Sequence, residues 1–76
     1  MFEEIKRILK DDMFIEGDIK MESKLKDDLH IDSVAAIELS LQLEERYNIS
    51  INQDELASLI TVNDVVKLLE SKGADN

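Results

Sequence analysis

Asp27-Asp28-Leu29-His30-Ile31-Asp32-Ser33-Val34 is the stretch whose reading decides the fold. Before Asp32 the residues keep no sustained period, whereas from Val34 onward apolar residues recur at helical spacing. A helix therefore begins at Asp32 or Ser33, either of which can cap the free amides of a first turn. It runs to about Tyr47, and Asn48 suits the left-handed residue that commonly follows a helix. The Ser33 hydroxyl then stands at the head of a long acidic helix, clear of the body.

Working outward toward the N-terminus, residues 15 to 32 form a connection without proline or sustained period, and such long connections are usually functional or internally packed. Ile15, Ile19, Met21, Leu25, Leu29 and Ile31 supply the apolar side chains for that packing. Upstream, Phe2, Ile5, Ile8 and Leu9 fall on one side of an amphipathic helix over residues 2 to 12, with Met13 and Phe14 extending its apolar edge. Downstream, Ile49 and Ile51 alternate with polar residues in a short extended link. Asn52 then caps a brief third helix ending near Leu59, and Glu55 completes a capping box. Thr61-Val62-Asn63-Asp64 opens the clearest helix, with Val62, Val65, Val66 and Leu69 at helical spacing. It ends near Ser71, and residues 73–76 read as a frayed tail. The expectation is an all-α, single-domain four-helix bundle with a long first loop and a short third helix.

Seventy-six residues, 43% of them hydrophobic, support a compact core but leave little room for a walled active site. Eighteen acids against nine bases give a net charge of -9, which disfavours nucleic acid and favours partners with basic patches. Without cysteine there is neither a disulfide framework nor a thiolate metal site. The one histidine, His30, cannot build a zinc site alone. An EF-hand register starting at Asp12 places Gly17 correctly but sets Phe14 and Ser23 where oxygen ligands are needed, so calcium is excluded as well. No apolar run is long enough to span a membrane, and Met1-Phe2-Glu3-Glu4-Ile5 does not resemble a secretion signal. An intracellular, cytoplasmic protein is expected, and a monomer.

At about 100° per residue, Ala36, Leu39, Leu43 and Tyr47 share one side of the second helix while Val34, Ile37 and Leu41 lie nearly opposite. A small bundle buries one such face well. The other, interleaved with Glu38, Glu44 and Glu45, reads as an apolar strip edged by carboxylates, a docking surface for a partner with basic residues around a shallow apolar patch. The alternative is a central helix touching neighbours on both sides, its glutamates merely solvated edges.

Ser33 admits three readings. The commonest role of Asp-Ser before a helix is an ordinary N-cap. A serine hydrolase would use His30, three residues away, but there is no nucleophile elbow, second histidine or oxyanion hole. The third is covalent modification by a phosphodiester, which a helix N-terminus accommodates through its free amides and dipole.

Asp28-Leu29-His30-Ile31-Asp32-Ser33-Val34, Ile37-Glu38-Leu39 and Leu43-Glu44-Glu45-Arg46-Tyr47-Asn48-Ile49 together resemble the acyl carrier proteins. That family's pattern is Asp-Leu-Gly-x-Asp-Ser-Leu, then x-x-x-Glu-Leu and an acidic run ending in an aromatic residue. The likeness spans nearly the whole chain. It implies that Ser33 receives 4′-phosphopantetheine from coenzyme A through a holo-acyl-carrier-protein synthase, and that the arm's thiol holds acyl groups as thioesters. The protein itself would then catalyse nothing. By position, Asp32, Val34, Ile37, Glu38, Leu41, Glu44 and Glu45 match the family's partner-binding residues. Leu39, Leu43, Tyr47, Ile51, Leu56 and Leu59 match those around its acyl cavity. The implied partners are the synthase and the acyl-transferring or fatty acid synthase enzymes, with basic docking patches.

Within the family, fatty acid biosynthesis is the first expectation and a specialised carrier for polyketide, peptidyl or aminoacyl transfer the second. An unmodified acidic helical adaptor stands outside it. Several residues depart from the family pattern: His30 replaces glycine, Val34 replaces leucine, Ala35 sits where an acid is frequent, Ser40 replaces an apolar residue and Asn52 stands where proline is common. His30 in place of glycine points to a loop that does not need a positive φ.

Overall fold

The computed structural model describes residues 1–73. Four helical segments follow one another: α1 (Phe2–Arg7) continuing into a π-wound stretch, Ile8–Asp12, then α2 (Ser33–Tyr47), α3 (Gln53–Ala57) and α4 (Val62–Ser71). Among the described residues there is no strand, only one isolated antiparallel bridge between Lys24 and Thr61. The fold is the all-α four-helix arrangement expected from the sequence.

Each helix start has its own chemistry. Asp32, in extended conformation, caps α2 by accepting the Ala35 amide at 2.9 Å. α1 starts after Met1 without a side-chain cap, whereas reciprocal capping boxes open α3, Asn52 with Glu55, and α4, Thr61 with Asp64. Each replaces by a side chain the hydrogen bonds that first-turn amides otherwise lack, worth about 1 kcal/mol per cap. Asn48 closes α2 in the left-handed conformation, φ 55°. Gly73 does the same after α4, its amide on the Glu70 carbonyl at 3.0 Å. Gly73 is thus part of the helix-terminating turn and not of a frayed end, while residues 74–76 lie outside the described residues.

Ile5, Leu9, Leu39, Leu43, Val62, Val65 and Leu69 are the fully buried centre, drawn from the first helical stretch, α2 and α4. The long connection contributes Ile19, Leu25, Leu29 and Ile31 to the same core, with Ile15 and Met21 packed at its edge. Its backbone is tied to the head of α4: Leu25 N–H donates to the Ile60 carbonyl at 2.8 Å, Val62 N–H to Ser23 at 3.0 Å and Asn63 N–H to Met21 at 2.8 Å. These bonds let eighteen residues dispense with a helix, since buried backbone polar groups need partners. Far from there, Tyr47 Oη donates to Glu4 Oε1 at 2.7 Å and joins the end of α2 to α1.

Two expectations fail. Phe14 does not extend the apolar edge of the first helix; it takes φ 58° and is 81% exposed, because the chain leaves the π-wound stretch through a left-handed residue as Ile15 N–H turns back to the Leu9 carbonyl. His30 also has φ 58°, against the expectation that its loop avoids positive φ. Leu29 and Ile31 on either side are both buried, their amides bonded back to Lys24 and Leu25. The reversal between two inward-facing neighbours demands the left-handed turn whatever side chain occupies it.

Candidate functional site

Capping by Asp32 settles the local role of Ser33. Ser33 is the first residue inside α2, exposed, and its hydroxyl is not engaged in the cap. A helix N-terminus carries partial positive charge from its unpaired amides, so an anion attached at this hydroxyl is favoured there.

Beside Ser33 opens a cavity of about 510 Å³. Leu25 and Ile31 of the long connection, Ala36 and Leu39 of α2, Leu56 of α3, and Leu59 and Ile60 just beyond it form its apolar lining. Ser33, Asp32, Asp27, Lys24 and Lys26 supply its polar part. Of the six residues matched to an acyl cavity, Leu39, Leu56 and Leu59 line it and Leu43, Tyr47 and Ile51 do not. Leu43 lies a turn further along α2 with no exposed surface, sealed in the main core. Tyr47 is drawn to α1 by Glu4, and Ile51 follows the turn after α2, its amide held by Glu44. Conversely, Leu25, Ile31 and Ile60 escaped the sequence reading as lining residues. The first two were legible as buried, but their place in a cavity depends on the Leu25–Ile60 pairing, which no local pattern signals.

On the opposite side of α2 the apolar strip stands in solvent: Val34 is 76% exposed, Leu41 55% and Ile37 53%. Glu38 and Glu45 flank it, both exposed, and Glu38 accepts a hydrogen bond from the Gln42 amide at 3.2 Å. Glu44 is placed differently. It is half-buried and its carboxylate accepts the Ile51 amide at 2.7 Å, so it anchors the link to α3 and is not a free carboxylate of the strip. The α3 wall is braced from the other end by the Lys72 ammonium, 2.8 Å from Glu55 Oε2. That contact, followed by the Asn52 amide, holds the Glu55 carboxyl below its usual range. No cluster of metal-ligating side chains exists among the described residues, and no helix among them is long and apolar enough to cross a membrane.

Comparison with known proteins gives one answer at every level. The family model described as a phosphopantetheine attachment site matches residues 3–69. The acyl carrier protein of Coprothermobacter proteolyticus is 39% identical over 72 residues, covering 93% of this chain and 88% of that one. That of Wolinella succinogenes is 36% identical over 72 residues, covering 93% and 95%. Among solved structures, a candidate acyl carrier protein from Mycobacterium tuberculosis superposes with a TM-score of 0.85 at 26% identity, over 92% of this chain and 95% of that one. With the serine-headed acidic helix and its adjoining cavity in place, the match over almost the full length shows that the chain belongs to the acyl carrier proteins, carriers rather than enzymes, whose prosthetic group is 4′-phosphopantetheine.

Proposed function

We propose that Ser33 is the attachment point of 4′-phosphopantetheine and that the chain carries acyl intermediates of fatty acid biosynthesis as a cytoplasmic monomer with one carrier domain. One observation carries this reading: Ser33 is exposed, its hydroxyl is uncommitted to capping, and it belongs to the lining of a largely apolar cavity. The residues fit the group. The α2 N-terminus suits the phosphodiester, and Leu25, Ile31, Leu39, Leu56 and Leu59 offer an apolar recess to a thioester-linked chain. When bound, the group supplies a thiol that holds the acyl cargo. Asp32 keeps the serine at the helix head by occupying the cap itself.

Acyl carrier proteins work with synthase and acyltransferase enzymes, and the Val34, Ile37 and Leu41 strip with Glu38 and Glu45 is the surface we assign to them. Apolar contact would supply affinity, and the carboxylates would steer a basic patch into register. A holo-acyl-carrier-protein synthase is the first partner in order.

Intact mass after incubation with coenzyme A and that synthase tests the attachment. The expected result is a gain of one phosphopantetheine, abolished by Ser33→Ala; a gain that survives the substitution overturns the assignment. Substituting the holo chain for the carrier of a reconstituted fatty acid synthase tests the pathway. Elongation of acetyl and malonyl units is expected, and modification without elongation would move the chain to a specialised acyl transfer.

A further inference from the structure

The apolar lining of the cavity is graded toward solvent. Leu39, Ile31 and Leu25 are buried, Leu56 and Leu59 are half-buried, and Ile60 is 61% exposed. A lining residue with that much open surface stands where the cavity meets water, and Ser33 is likewise an exposed residue of the same lining. Of the five large apolar side chains exposed among the described residues, Ile60 alone lines the cavity. Exposed single apolar residues are ordinary, so the position needs a reason beyond exposure. The backbone supplies one. Ile60 N–H donates to Asp64 Oδ2 at 2.9 Å and its carbonyl accepts the Leu25 N–H at 2.8 Å, fixing the residue between the head of α4 and the buried loop. Neither bond uses the side chain, which belongs neither to the core nor to the partly buried shell around it. It is held beside the recess without serving the interior.

We propose that Ile60 is a specificity-determining rim residue: its side chain packs on the first methylenes of a thioester-linked chain and sets how far that chain is withdrawn from water. This rests on Ser33 carrying the arm and on the recess receiving its cargo. The driving force is apolar surface removed from solvent on both partners, which an empty recess leaves exposed at Ile60. Acetyl has no methylene to offer the rim, whereas butyryl and longer saturated chains do. A slender chain covers part of the isoleucine, and truncation to alanine removes most of that contact. The balance between withdrawn and free cargo should then shift by about two- to fivefold.

The test loads the holo protein with acetyl, butyryl or octanoyl groups and follows cleavage by neutral hydroxylamine, which attacks the thioester carbonyl and releases a hydroxamate and the free thiol. Each rate is taken relative to the same thioester of free pantetheine. Cleavage proceeds from free cargo, so it quickens as withdrawal weakens. Ile60→Ala is compared with the parent chain, with Phe14→Ala as the control for losing an exposed apolar side chain outside the cavity. Ile60→Ala should release butyryl and octanoyl about two- to fivefold faster and leave acetyl unchanged. Ile60→Leu, which keeps the apolar bulk, should hold the parent rates, and Phe14→Ala should too. Unchanged release of all three groups by Ile60→Ala, or acetyl accelerated as much as the others, overturns the rim. So does acceleration confined to octanoyl, which would place the contact at the far end of the chain. Failure of the underlying reading looks different. No gain of phosphopantetheine refutes the role of Ser33, and a parent protein that protects butyryl and octanoyl no better than acetyl refutes the recess. Protected chains indifferent to Ile60→Ala refute the rim alone.

Discussion

Replacing Phe14 by glycine should leave the protein as stable as before or slightly more so, although it deletes one of the chain's two phenylalanines. Phe14 has φ 58° and is 81% exposed. Burying a whole phenylalanine contributes about 1.5–3 kcal/mol, so the fifth of it that is covered is worth about 0.5 kcal/mol. Holding a residue with a Cβ in the left-handed region costs about 1–2 kcal/mol, which glycine avoids. Glycine in turn loses about 0.5–1 kcal/mol more backbone entropy on folding. The balance for Phe14→Gly is a gain of about 0.3 kcal/mol. Phe14→Ala loses the contact without relieving the backbone and falls by about 0.5 kcal/mol. Thermal unfolding of the three proteins by circular dichroism reads the result. At about 4–8 °C per kcal/mol for a domain of this size, the glycine variant should melt about 3–6 °C above the alanine variant. A glycine variant melting below the alanine variant would refute the argument, because it would mean that the turn does not hold a left-handed residue at this position.

Glu44→Lys should destabilise by about 1–2 kcal/mol in denaturant unfolding, since it strips the Ile51 amide of its acceptor, whereas Glu38→Lys on the open strip should stay within about 0.5 kcal/mol. Equal effects would remove the distinction between anchor and docking residue. Tyr47 has its hydroxyl pushed up to about 12, by burial first and then by the hydrogen bond to Glu4. The unfolded hydroxyl ionises near 10, so the stability this group contributes is full below about pH 10 and is lost as pH rises toward 12. Tyr47→Phe should cost about 1 kcal/mol at neutral pH and abolish that alkaline decline, which a pH series of melting curves reads directly. Asp64 titrates below its usual range because the Thr61 and Ile60 amides donate to its carboxylate. Its contribution is present above the unfolded value of about 3.9 and lost as pH falls through the lower folded value. Asp64→Asn should therefore cost about 1 kcal/mol at pH 7 and progressively less in acid, and a constant penalty down to pH 2 would contradict it.

The sequence showed what local rules decide. Asp32, the Asn52–Glu55 pair and the Thr61–Asp64 pair were legible as caps because each works within four residues. The two faces of α2 were legible because an apolar stripe at helical spacing needs no knowledge of its neighbours. What escaped are contacts whose partners lie far apart along the chain. Tyr47 meets Glu4 across 43 positions, and Leu25 meets Ile60, so neither the latch nor the cavity wall has a local signature. The tie of Glu44 to the link before α3 has no local signature for the same reason: its period on the helix says outward, while the turn after Asn48 brings the Ile51 amide back to it. His30 shows a different failure. Absence of glycine does not mean absence of a left-handed turn, because the demand comes from the buried neighbours Leu29 and Ile31, and the side chain between them merely tolerates it.

The shortest helix has a consequence for how much the cavity can hold. α3 has five residues, none of them buried, and is held by its capping box and by the Glu55–Lys72 contact. An element with so little interior surface separates at a small fraction of the cost of unfolding the core formed by α1, α2 and α4. The three sides of the recess thus differ in stiffness: α2 and the loop pinned at Leu25 act as a fixed frame, and α3 as the compliant side. A longer guest would be accommodated by displacement of α3 rather than by compression of the core, so the recess takes its size from its occupant.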